Sequence, residues 1–180
     1  MLAEINKRLV VLLEAAHPEF RDVGRHRGRM SVEDIRKLIV FSPALRIGLF
    51  GKLSTEDLPS GERVLVVPFA AAVIVCEGEL IDSQDMAIAL ALKVETTLAR
   101  IIPGAPDEDR DWPILPGVGL PEELSIDIAD GDELDADGIA LWAVLFKIRV
   151  VIGEDLARAG AEDEIEIVLP DDFDPAEIAP

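Results

Sequence analysis

Two hydrophobic periods divide the chain. Residues 2–16 place Leu2, Ile5, Leu9, Leu12 and Leu13 at intervals of three and four, with Glu4, Lys7, Arg8 and Glu14 between them. That spacing predicts an amphipathic helix, and His17-Pro18 ends it because proline cannot continue the backbone hydrogen bonding. A second helical stripe starts at Asp82 or Ser83, either of which can cap it, and runs to about Ile101. Ala87, Leu90, Val94, Leu98 and Ile101 form its apolar side, widened by Ile88 and Leu92, and Pro103-Gly104 stops it. Its length of about 27 Å is enough to cross a four-stranded sheet. Ser31 and Asp34 have the spacing of a capping box ahead of Val32, Ile35 and Leu38, which predicts a short helix.

The other period is two. Ala44–Phe50 reads as a strand with Leu45, Ile47 and Leu49 on one side, and Arg63–Glu77, rich in Val and Ile, as a long one. Pro68 lacks a backbone donor, so that strand is expected at a sheet edge or broken by a bulge. Leu124–Ile128 predicts a short strand. Over residues 139–152, Trp142, Val144, Phe146, Ile148 and Val150 fall on one side, and Leu141, Ala143, Leu145, Lys147 and Arg149 on the other. The second side begins apolar and ends in two cations, so the strand is expected to start between two layers and end near solvent or a partner. Extended, it reaches about 45 Å, long enough to project past its own domain. Gly51–Gly61 reads as a polar loop, residues 103–121, with five prolines around Trp112, as an irregular segment, and Asp130–Gly138 as an acidic turn. Ile165–Leu169 reads as a last short strand and Pro170–Pro180 as an extended acidic tail. The fold class that follows is α+β: a mixed or antiparallel sheet with long strands, helices packed on one face, and an acidic C-terminal extension. Residues 1–152 form the domain and residues 153–180 the extension.

Composition narrows the function classes. With 4% aromatic residues and no Tyr, the core must come from Val, Ile, Leu and Ala. Cys76 is alone, which excludes an internal disulfide and suits a reducing compartment. The longest uncharged apolar run, Val64–Cys76, is short of the roughly 20 residues a membrane helix needs, and no secretory signal is evident, so a soluble protein made in the cytoplasm is expected. The net charge of −19 sits almost wholly in two late segments. Residues 106–137 hold twelve acids against Arg110 alone, and residues 153–180 ten against Arg158 alone. Such a surface repels nucleic-acid phosphates and favours basic protein partners.

Candidate chemistry does not converge. Glu133-Leu-Asp-Ala-Asp-Gly138 matches the first half of an EF-hand loop, but the position of the bidentate acid is Val144, so the segment reads as a solvated turn. His17 and His26 lack the companions a metal site needs. No Gly-x-Ser-x-Gly elbow is present, Cys76 follows Ile74 and Val75 and reads as buried, and Gly117-Val-Gly119 lacks the third glycine of a dinucleotide site. Neither an enzyme nor a cofactor is expected. Arg21, Arg25, Arg27 and Arg29 make a basic loop without interleaved aromatics; it suits another protein's acidic edge better than nucleic acid, with a solvated loop as the competing reading.

The Met1-Leu-Ala-Glu-Ile5 helix start, the Val64–Val75 strand, the Asp85–Ile101 helix, and Leu141-Trp142 running into Lys147-Ile-Arg-Val150 resemble the layout of Mu-like prophage minor tail proteins. That family is similar to the tail terminators of long-tailed phages. The segment from Glu154 onward has no counterpart in that layout. The resemblance implies a homo-oligomeric ring of six subunits seated on the last ring of the tail tube protein, stopping tube growth and offering a docking face to the head–tail connector protein. It implies a place in the virion neck, DNA that passes without specific binding, and no membrane. On this expectation Arg21, Arg25, Arg27, Arg29, Lys147 and Arg149 meet the next subunit or another partner, and Asp130, Asp132, Glu133, Asp135 and Asp137 face the lumen. The alternative is an acidic inhibitor that mimics DNA and occupies a DNA-binding protein. Charge serving only solubility is the plain competitor of both.

Overall fold

The computed structural model describes residues 1–26, 30–58, 62–76, 82–101, 117–128, 134 and 137–152. Helix α1 spans Leu2–Ala16 and buries Ile5, Leu9 and Leu13, the heart of its predicted stripe. The His17 N–H closes it on the Leu13 carbonyl at 3.0 Å. Helix α2, Val32–Leu38, begins with the predicted capping box: the Asp34 N–H donates to Ser31 Oγ, and the Ser31 N–H to the Asp34 carboxylate, both at 3.2 Å. A 3-10 turn over Ile39–Phe41 follows. Helix α3, Ser83–Ala99, is capped by the Asp82 side chain and buries Ala87, Leu90, Ala91, Val94 and Leu98. Leu92, expected to widen the stripe, is 51% exposed. Position 92 lies about 200° around the helix from Leu90, and the neighbouring Ala91 occupies the buried side.

The six strands are β1 (Asp22–Arg25), β2 (Ala44–Leu49), β3 (Ser54–Asp57), β4 (Arg63–Cys76), β5 (Val118–Ile128) and β6 (Ile139–Ile152). They form one mixed sheet in the order β1-β2-β4-β6-β5, with β3 also on β4. Only β1 and β2 run parallel among these pairs. The fold is α+β. α1 and α3 lie on one face, over Leu45, Ile47, Phe69, Ala71, Val73, Val144, Phe146, Ile148 and Val150. Phe69 and Phe146 stand opposite each other in the ladder with rings stacked at 5.6 Å. The short α2 serves the other face at one end, where Ile35, Ala44, Ile74, Leu134 and Ile139 form a second buried cluster that Leu141 flanks. β6 therefore starts between two layers and carries its cations out of them, as its alternation predicted.

Several sequence expectations are corrected. β6 does not project: all fourteen residues pair with β4, from Arg63↔Ile152 to Cys76↔Ile139. Two long apolar strands satisfy each other's backbone groups along their full length, which a projecting strand would leave open. β4 is a central strand despite Pro68. The Phe50 N–H bonds the Pro68 carbonyl at 3.0 Å, so the proline nitrogen points the same way, into the gap where β2 has ended and β3 has not begun. The missing donor costs no ladder bond there. The basic loop begins as β1, the polar loop contains β3, and the irregular segment gives way to β5 at Val118. The predicted strand at 165–169 and the acidic extension lie outside the described residues.

Candidate partner surfaces

The expected interface cations divide between two places. Arg21 precedes β1, an edge strand, and Arg25 ends it, and both are exposed. No acidic side chain among the described residues pairs with either one. The acid between them, Asp22, is taken by Arg46, whose guanidinium also donates to the Asp22 and Leu45 carbonyls at 3.3 and 3.0 Å. The Arg46 side chain is only 11% exposed, so this pair is structural. Gly24 allows it: a Cβ there would stand 3.3 Å from Arg46 Nη1. Arg27 and Arg29 lie outside the described residues.

Lys147 and Arg149 emerge on the sheet face away from α1 and α3. Lys147 Nζ donates to Glu123 at 2.6 Å, and Arg149 bonds Glu122 and, at 3.3 Å, Glu56 of β3. In a regular strand Glu122 and Glu123 would point to opposite faces. Two register shifts in β5 and a φ of 51° at Glu123 bring both carboxylates to the two cations. The hydrogen bond and charge of Lys147 hold the Glu123 carboxyl below its ordinary range, and Glu122 raises the Arg149 pKa further. Both cations are thus already matched within the chain, and a partner would have to compete with Glu122 and Glu123 for them. Of the expected lumen acids, Asp137 bonds Arg36 at 2.8 Å. Asp130, Asp132, Glu133 and Asp135 lie outside the described residues.

Two features carried no sequence signal. Leu49, Phe50 and Leu53 form an exposed apolar tip between β2 and β3, with the Phe50 backbone fixed on Pro68. The other is His17, buried to 5% exposure between α1 and α3. Its Nε2 lies 3.0 Å from Thr97 Oγ1 and its Nδ1 3.6 Å from Glu19, which Lys93 holds at 3.1 Å. Burial lowers the His17 pKa and the Glu19 charge opposes this, so the imidazole is neutral at pH 7. Burial alone would raise the Glu19 pKa, but a backbone N–H and Lys93 hold it low. An open depression of about 490 Å³ runs over this group, lined also by Ala16, Leu92 and Thr96. Hydroxyl, imidazole and carboxylate stand in nucleophile–base–acid order. Thr97, however, sits inside α3, where backbone N–H groups are committed to helix bonds and supply no oxyanion donors. The cluster is a clasp joining the end of α1 to α3. Among the described residues no helix is long and apolar enough to cross a membrane.

The sequence matches no family model, and no curated protein shows significant similarity to it.

Proposed function

We propose that the protein is a phage structural subunit that caps the tail tube at its head-proximal end, as a ring of six copies, and forms the surface to which the head connector docks. The observation that carries this reading is the separation of charge across the sheet. One edge, β1, presents Arg21 and Arg25 without partners among the described residues, whereas β5 at the opposite edge presents the exposed Asp127 beside Glu122 and Glu123, the last two already matched to Arg149 and Lys147. Opposite edges of opposite sign suit a heterologous contact, the kind that closes a ring. The two long strands are not available for it, since each is paired on both sides. The layout resemblance gives the ring its place on the tail, and a net charge of −19 per copy keeps passing DNA off the wall.

The test is to mix the purified protein with tail tubes of the phage whose genome encodes it and image the tube ends. A six-fold ring at one end, with tube growth stopped, is the expected result. Bare tube ends, together with displacement of DNA from a basic DNA-binding enzyme, would replace this reading with the DNA-mimic one.

A further inference from the structure

β3 is the most exposed strand of the sheet: all four of its residues are open to solvent, and among the described residues no strand pairs with its outer edge. The Leu58 N–H bonds the Glu62 carbonyl at 2.7 Å, and Glu56 and Ser54 follow at two-residue steps, opposite Val64 and Val66. Alternation therefore turns the backbone groups of Ser54 and Glu56 toward β4 and leaves those of Thr55 facing outward. Just before the strand stand Leu53, 43% exposed, and Lys52, an exposed cation with no acidic partner among the described residues. Four positions after Lys52, the half-exposed Glu56 shares Arg149 with Glu122. An edge with a cation and an acid four residues apart is complementary to itself read in the opposite direction.

We propose that the outer edge of β3 is a contact between two copies of the chain, in which β3 of one adds antiparallel to β3 of the other about a two-fold axis at Ser54. In that register Lys52 stands opposite the partner's Glu56, Leu53 opposite the partner's Thr55, and Ser54 opposite its own equivalent. The outward backbone groups of Thr55 are then satisfied by those of the partner's Leu53. Each exposed Leu53 is covered by a threonine side chain. Charge selects the register: with the axis one residue on, at Thr55, Lys52 would face Leu58 and Glu56 would face Ser54. A two-fold contact is closed and stops at two copies. With about four backbone bonds and two ion pairs, it belongs with the small, transient interfaces. It uses neither β1 nor β5, so it goes beyond the ring proposed above, and its failure would leave that reading untouched.

Disulfide trapping on the full-length protein tests the contact, in a Cys76→Ser background so that the introduced thiol is the only one. Ser54→Cys puts two thiols across the axis on residues whose Cα atoms stand about 4.5 Å apart, within disulfide reach. Asp57→Cys places them about 20 Å apart. Under a mild oxidant, Ser54→Cys is expected to form covalent dimer at least about tenfold faster than Asp57→Cys. Adding Lys52→Glu is expected to slow the Ser54→Cys cross-link at least about threefold, the scale of exposed ion pairs, and adding Glu56→Lys to that variant to restore it. All four positions are exposed, so the fold tolerates these changes, and circular dichroism checks it. Cross-linking of Asp57→Cys as fast as that of Ser54→Cys, or faster, overturns the proposal. So does a Ser54→Cys rate that ignores Lys52→Glu, or one that the charge swap fails to restore.

Discussion

The two faces of the sheet are built from the same strands to opposite ends. On the α1–α3 face, Phe69, Phe146, Val73, Val144 and Ile148 are sealed under helices. On the other, the end near α2 is sealed and Val64 and Val66 are buried at the far end, but from Ala72 and Ala143 onward the strands also carry Arg46, Lys147 and Arg149, each matched to acids of neighbouring strands. One face holds the fold together by burial, the other in part by charge pairs, of which those of Lys147 and Arg149 are open to water and salt while that of Arg46 is largely covered. The difference locates most of the stability on the first face.

Substitutions should rank accordingly. Phe146→Ala removes half of the buried ring stack and is expected to cost about 3–5 kcal/mol in urea unfolding. Asp22→Ala strands the nearly buried Arg46 guanidinium; because Asp22 itself is 34% exposed, about 1–3 kcal/mol is expected. Arg46→Met/Asp22→Ala should recover part of that loss. Ser31→Ala, which removes the cap of α2 from the second face, should cost about 1 kcal/mol.

A pH series sharpens the comparison on the helical side. His17 has a folded pKa below the ordinary 6.5, so the unfolded chain takes up the proton first. Stability is then full above 6.5 and declines as pH falls below it toward the folded value. The urea midpoint should fall as pH is lowered below 6.5, and His17→Gln should flatten that fall. Lys147→Ala should move the midpoint least of all, and its small effect should shrink further in high salt, since the pair it breaks is exposed.

The faces also explain what was legible in the sequence. Alternation over 139–152 sorted the buried residues of β6 from Lys147 and Arg149, and the helical stripes and the Ser31–Asp34 box were visible because each depends on residues three or four apart. What depended on strand neighbours was not. β1 is four residues long and holds its place through Asp22 and Arg46, 24 positions apart. Pro68 reads as an edge signal until the gap between β2 and β3 is seen beside it. The turn that brings Glu122 and Glu123 to the same side arises from a positive φ that nothing local announces, since Glu123 is not a glycine. His17 closes a helix in the sequence; that it also clasps Thr97 depends on how α3 crosses α1.

The proposed tail-capping role is tested most directly by one measurement: electron micrographs of phage particles assembled after this gene is deleted. Overlong tails, or tails without joined heads, are the predicted result. Tails of normal length joined to filled heads would contradict it.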